Sequence, residues 1–146
     1  MPREERIPWD MDRICLVTGS RRFLDARFVE RVLEYHHPSL VVHGGATGVD
    51  TFADRWAYRN GIPRTIFAIS PQQWERFGKA EGHYRNTDMS RYLLAIVHRD
   101  EHGEPEWEES GIEGLVFPGQ SGTHDMLDIL VRLNIPWWDY RNGQFP

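Results

Sequence analysis

The sequence predicts an α/β domain, a mainly parallel sheet with helices on both faces. Two observations carry that expectation. Short apolar runs without polar alternation recur along the chain, as in strands buried on both sides. Stretches of helical periodicity separate them, and strands that alternate with helices form parallel crossovers. A third observation bears on function. Three apolar runs end in glycine-bearing turns, each just ahead of a helical stretch: Thr18-Gly19-Ser20-Arg21-Arg22, Gly44-Gly45-Ala46-Thr47-Gly48-Val49-Asp50 and Pro118-Gly119-Gln120-Ser121-Gly122-Thr123.

The elements follow in order. Residues 14–18 read as the first strand, with a continuous apolar run from Ile14 to Val17. Residues 25–36 read as a helix whose apolar face is Phe28, Val29, Val32, Leu33 and Tyr35, and Pro38 ends it. Residues 40–43 are the second strand. Residues 48–60 are a helix with Val49, Phe52, Ala53, Trp56 and Ala57 inward, closed by Asn60-Gly61. Residues 64–69 are the third strand, and 70–81 are irregular with a short helical turn from Pro71. Residues 83–92 read as helix and Leu93 to Val97 as a fourth strand. Residues 99–114 are acidic and turn-rich, an expected surface excursion. A fifth strand at 115–117, a helix at 122–133 and a last strand at 135–138 complete the pattern.

The 146 residues fit one domain spanning 1–146, with a loose lead-in at 1–12. A net charge of −5 argues against a broad nucleic-acid surface, which is normally basic. Cys15 is the only cysteine, so no intrachain disulfide forms, and its strand position makes it a core residue. No apolar run is long enough for a membrane span, and the stretch from Met1 to Arg6 lacks a signal-peptide apolar region. A cytoplasmic location is the resulting expectation.

In an open α/β sheet, turns of this kind gather at the carboxyl edge of the strands. Glycine lets backbone N–H groups approach a ligand, and a helix N-terminus favours anions. The expected ligand is therefore a phosphorylated small molecule of the nucleotide type. Gly19, Ser20, Gly44, Gly45, Gly48, Gly119 and Gly122 would form the cradle. Arg21 and Arg85 offer planar guanidinium forks to phosphate, and Thr123 a hydroxyl. Asp50 and Asn86 are placed to meet sugar or base. Trp74 lies near the pocket mouth, where an indole can stack on a base. The turn spacing is neither the dinucleotide fingerprint nor a P-loop. His43, His83 and His124 border the turns, but no metal site or cofactor is expected from their spacing. Trp137 and Trp138 alternate across the last strand, which would leave one of them for a homo-oligomer contact.

These motifs together resemble the SLOG superfamily, whose Rossmann-like fold is shared by the LOG phosphoribohydrolases, the DNA-processing protein DprA and several nucleotide-sensing domains. The nearest group is YspA-like and related to YpsA. Four pieces carry the resemblance, from about Ile14 to Trp138. They are Val17 to Arg21; His43 to Asp50 with Ala53 and Trp56; Trp74 through Phe77–Gly82 to Tyr84, Arg85, Asn86 and Met89; and Gly119 to Thr123 with Met126. The resemblance implies a nucleotide-type ligand over the strand ends. In LOG enzymes a middle-helix arginine and a glutamate after the last turn are thought to cleave an N-glycosidic bond. Arg85 matches the arginine, but Met126 stands at the glutamate position and Gln120 replaces a usual glycine.

Three functions compete on this reading. The first is a binding or sensing module without chemistry. The second is an N-glycosidic hydrolase using Arg85, with Asp125, Glu109 or Glu113 replacing the glutamate. The third is single-stranded DNA binding, which the net acidity opposes.

Overall fold

The computed structural model describes Pro2 and residues 12–144; the rest of the expected 1–12 lead-in lies outside the described residues. The element order is β1(Ile14–Thr18), α1(Ala26–His36), β2(Leu40–His43), α2(Val49–Arg59), β3(Arg64–Ile66), α3(Pro71–Phe77), α4(Lys79–Ile96), β4(Ile112–Val116), α5(Ser121–Arg132) and β5(Trp137–Asp139). The strands form one parallel sheet in the order β3-β2-β1-β4-β5. Chain order reverses between β1 and β4, so the crevice at their carboxyl ends is the topological switch point where open α/β sheets hold ligands.

The sheet is covered on both faces. On one side Cys15, Val17, Val41 and Leu115 pack against Val29, Val32 and Leu33 of α1 and Val49, Ala53, Trp56 and Ala57 of α2. On the other, Leu16, Val42, Ile112 and Val116 meet Met89 and Leu93 of α4 and Met126, Ile129 and Leu130 of α5. This is why the β1 run is continuously apolar: its successive side chains enter opposite cores. Asp25 caps α1 by accepting from the Phe28 N–H at 3.1 Å, and His37 ends it in the left-handed region at φ 51°.

Several sequence expectations are corrected. Leu93 to Val97 is not a strand: Leu93–Ile96 is the last turn of α4, and Val97 is its C-cap. Asn86, Met89, Ser90, Leu93 and Val97 are buried at helical spacing, so the apolar run is the end of a helix stripe. The helix expected at 83–92 accordingly runs 79–96. β3 stops at Ile66 because β2 ends at His43 and offers no further partner strand. The strand expected at 115–117 begins at Ile112, within the stretch read as a surface excursion, and pairs with every residue of β1. The last strand starts at Trp137 rather than Ile135. Pro136 lacks an N–H, though its carbonyl accepts from Gly114 at 2.8 Å.

Trp137 and Trp138 are both buried, at 8% and 4% exposure, so this pair offers no open face to a second copy. Trp138 packs edge-on to His36 and stacks with Tyr140, while Trp137 lies in the opposite core with Arg141 over its ring. Among the described residues no helix is long and apolar enough to cross a membrane.

Candidate functional site

The three glycine-bearing turns meet. The Ser20 N–H donates to the Pro118 carbonyl at 2.7 Å, joining the first turn to the third. The Val49 N–H donates to the Ser20 carbonyl at 3.2 Å, joining the second to the first. Gly48 sits at φ 75°, and a Cβ there would collide with the Ser20 carbonyl oxygen and with Arg21 Cα. Gly19 is equally constrained, since a Cβ would stand 2.6 Å from Val49 Cγ2. These glycines serve the closure of the turns on one another.

The convergence leaves a cleft of about 180 Å³. Thr18, Gly19, Ser20 and Arg21 line it from the first turn, Ala46 and Asp50 from the second, and Gln120, Ser121, Gly122 and Thr123 from the third. Gly82, Arg85 and Met89 of α4 close it with Ile69 and Trp74.

Asp50 carries the most unusual electrostatics of this wall. It is 5% exposed. Its Oδ2 accepts from the N–H groups of Gly44 at 3.2 Å and Ala46 at 3.3 Å, so it folds the preceding loop rather than capping its own helix. Its Oδ1 is buried without a hydrogen-bond partner. Burial pushes its pKa up, against the opposing pull of His43, Arg85 and the two backbone donors. Arg85 lies across Gly44: a Cβ there would stand 2.7 Å from the guanidinium carbon. Arg85 Nη1 donates to the Gly44 carbonyl at 3.3 Å, while its Nε is buried without a partner. Two unpaired buried polar groups thus lie on residues lining one cleft, an arrangement folded proteins rarely tolerate without a purpose.

Behind them the second turn is braced by His43. The Gly45 N–H donates to His43 Nδ1 at 2.9 Å, which assigns the ring proton to Nε2, 2.8 Å from Asp54 Oδ1. Arg64 donates to the other Asp54 oxygen at 2.9 Å. Gly45 adopts φ 69°, with a would-be Cβ 2.9 Å from Ala68 Cβ.

The third turn opens α5 without a side-chain cap, its N-cap being Gln120. Ser121, Gly122 and Thr123 form the first turn, whose N–H groups have no intrahelical partner, and all three residues line the cleft. Thr123 is therefore not the N-cap. It is 4% exposed and packs its side chain over Gly119, whose Cβ would collide with it.

Asn86 is placed differently from the sequence expectation of a sugar or base contact. It is buried, does not line the cleft, and donates through Nδ2 to the Gly122 carbonyl at 3.1 Å and Asp125 Oδ2 at 3.0 Å. It fixes α4 to the start of α5. Asp125 also lies outside the lining, and its other oxygen meets His83 Nδ1 at 2.9 Å. Glu113 is fully buried in β4 and hydrogen-bonded to His36 and Trp138, so it does not fold over the site as a replacement carboxylate. Among the described residues no group of three or more His, Cys, Asp or Glu is arranged to hold a metal.

Sequence reasoning did not name Thr18, Ala46, Ile69, Gly82, Gln120 or Ser121 as cleft residues. Gly82 left a readable signal: a glycine inside a helix costs about 1 kcal/mol relative to alanine. A Cβ there would meet nothing within 4 Å, so the packing of the fold does not demand this glycine.

Residues 13–76 match the family described as YspA, cpYpsA-related SLOG family. The "Gene 61 protein" of Mycobacterium phage D29 is 41% identical over 88 residues, covering 54% of this chain and 69% of the phage protein. The chain belongs to this SLOG family. The matched residues carry the first two turns, Asp50 and Trp74; Arg85 and the third turn lie beyond them. No solved structure gives a significant match. At the position where the SLOG resemblance leads one to look for glutamate, Met126 is fully buried in the core formed with α4.

Proposed function

We propose that this SLOG domain binds a nucleotide, or a phosphorylated molecule derived from one, in the cleft at the switch point, acting as a binding or sensing module. The observation that carries the reading is the pair of buried, unpartnered groups, Asp50 Oδ1 and Arg85 Nε, on a wall completed by an uncapped helix N-terminus. A phosphate suits the N–H groups of Ser121, Gly122 and Thr123, assisted by Arg85 and Arg21. A sugar hydroxyl suits Asp50, which has an oxygen free to accept. Gly19, Gly44, Gly45, Gly48 and Gly119 hold the turns in the shape this requires. The apolar Met126 supports binding without chemistry, because a thioether neither transfers protons nor stabilises a cation as a carboxylate does.

The test is a thermal-shift panel of nucleoside mono- and diphosphates, ADP-ribose, NAD, cyclic nucleotides and ribose 5-phosphate. A ligand at about a hundred times its dissociation constant adds about 2.7 kcal/mol, a rise of roughly 5–10 °C for a domain of this size. Silence across the whole panel would sink the reading.

A second reading, hydrolysis of the ligand's N-glycosidic bond, has one observation in its favour. His83 is held by Asp125 at 2.9 Å, next to Gly82 of the cleft wall, and Asn86 fixes the same carboxylate. Such a pair orients an imidazole for proton transfer from water. Chromatography of a bound nucleotide after long incubation decides: free base, lost in Arg85→Ala, supports hydrolysis, and an intact nucleotide removes it.

A further inference from the structure

Trp74 is the one large aromatic side chain on the cleft wall, and it is 42% exposed. It stands on α3, a seven-residue helix with no buried residue. Ser70 starts α3 with a capping box: its hydroxyl accepts from the Gln73 N–H while Gln73 Oε1 accepts from the Ser70 N–H. Gly78 ends it at φ 57°, with open space around a would-be Cβ. The helix is therefore well formed by itself yet not anchored in either core.

The cleft contact of Trp74 is with Arg21, whose guanidinium carbon lies 5.5 Å from the ring centroid. A guanidinium is a flat, delocalised group, and it occupies the kind of surface that a heteroaromatic ring would occupy. Two stacked layers need about 7 Å between the outer planes. A planar ring therefore enters either by displacing Arg21 or by a small outward shift of α3. Arg21 is exposed and its side chain makes no ion pair among the described residues, so displacement breaks only the stacking contact and frees a cation for phosphate.

We infer that Trp74 is the platform for the planar ring of the ligand, a surface that Arg21 covers in this structure, so that the cleft selects molecules carrying a nucleobase over phosphorylated sugars lacking one. This inference rests on the proposed binding function and names the part of the ligand that function leaves open. Stacking on an aromatic side chain tolerates any base, because every base has a π-face. The selection is for a ring rather than for one base.

The experiment is a calorimetric comparison of ribose 5-phosphate with adenosine and uridine 5′-monophosphates on wild type, Trp74→Ala and Trp74→Phe. Wild type should bind at least one monophosphate about five- to a hundredfold more tightly than ribose 5-phosphate. Trp74→Ala should remove that preference by bringing the monophosphate affinities down to that of ribose 5-phosphate, and Trp74→Phe should restore most of it. A merely structural tryptophan would weaken all three ligands together. Equal affinities in wild type, or a preference that survives Trp74→Ala, would overturn the inference while leaving the phosphate-binding reading intact. If none of the three ligands binds, the inference falls, and the binding reading then stands or falls with the remaining nucleotides of the thermal-shift panel.

Discussion

Two buried carboxylates sit on either side of β1, and they are treated in opposite ways. Glu113 in β4 is fully buried. Its Oε1 accepts from Cys15 Sγ at 3.9 Å and shares a 3.0 Å hydrogen bond with His36 Nδ1, while Oε2 accepts from Trp138 Nε1 at 3.0 Å. The network continues from His36 Nε2 to the Tyr140 hydroxyl at 2.6 Å. Burial, with Glu113 beside it, raises the pKa of Cys15 well above the ordinary thiol range, and burial raises Tyr140 likewise. Asp50 in α2 is nearly as buried, yet one oxygen meets two backbone donors and the other meets nothing. The first carboxylate is internally satisfied and belongs to the scaffold. The second lines a cleft with half its capacity unused, so its missing donor is to be sought outside the chain.

The largest effect should come from cutting the satisfied network. Glu113→Ala leaves the indole of Trp138 and the ring of His36 without their buried acceptor, and should cost about 3–5 kcal/mol in denaturant unfolding. A loss no larger than a surface substitution gives would remove the scaffold role. Gly48→Ala comes next. With φ 75° and the Ser20 carbonyl against the new methyl, it should cost more than about 1 kcal/mol and loosen the first two turns together.

Asp50→Asn should sit on the other side of the comparison. The amide oxygen still accepts from Gly44 and Ala46, so stability at neutral pH should stay within about 1 kcal/mol of wild type or rise. Burial holds the folded pKa of Asp50 above the ordinary 3.8, so the native chain keeps this proton longer than the unfolded chain. Its contribution is most favourable below 3.8 and declines as pH climbs through the raised folded value. Urea midpoints across that window should therefore fall more steeply for wild type than for Asp50→Asn, and parallel curves would refute the buried, ionisable Asp50. The smallest stability effect belongs to Gly122→Ala. Its Cβ meets nothing within 4 Å at the start of α5, so melting should hold or improve by about 0.5–1 kcal/mol while ligand uptake falls.

The comparison also explains what the sequence disclosed. The strand-turn-helix rhythm made the α/β class and the turn convergence legible, because glycines after apolar runs have few other uses. β4 was partly hidden because Glu113 and Gly114 interrupt its apolar run, and a charge in mid-strand reads as surface until its three partners, distant in sequence, are known. Leu93 to Val97 misled in the other direction, since a five-residue apolar run carries too little phase to tell the end of a helix from a strand. Within the site, Asp50, Arg21 and Thr123 were readable from turn position, and Arg85 from its match to the middle-helix arginine of the LOG resemblance. The diversion of Asn86 and Asp125 into the α4–α5 brace was not, because it depends on how two helices face each other.

The central claim is that Asp50 belongs to a ligand site and Glu113 to the scaffold. Melting of wild type and Asp50→Asn, each with and without saturating nucleoside 5′-monophosphate, tests it most directly. The expected result is a variant whose stability alone stays within about 1 kcal/mol of wild type, or rises, but which loses the nucleotide-induced rise. A variant that keeps the full rise, or a wild type that shows none, would contradict the claim.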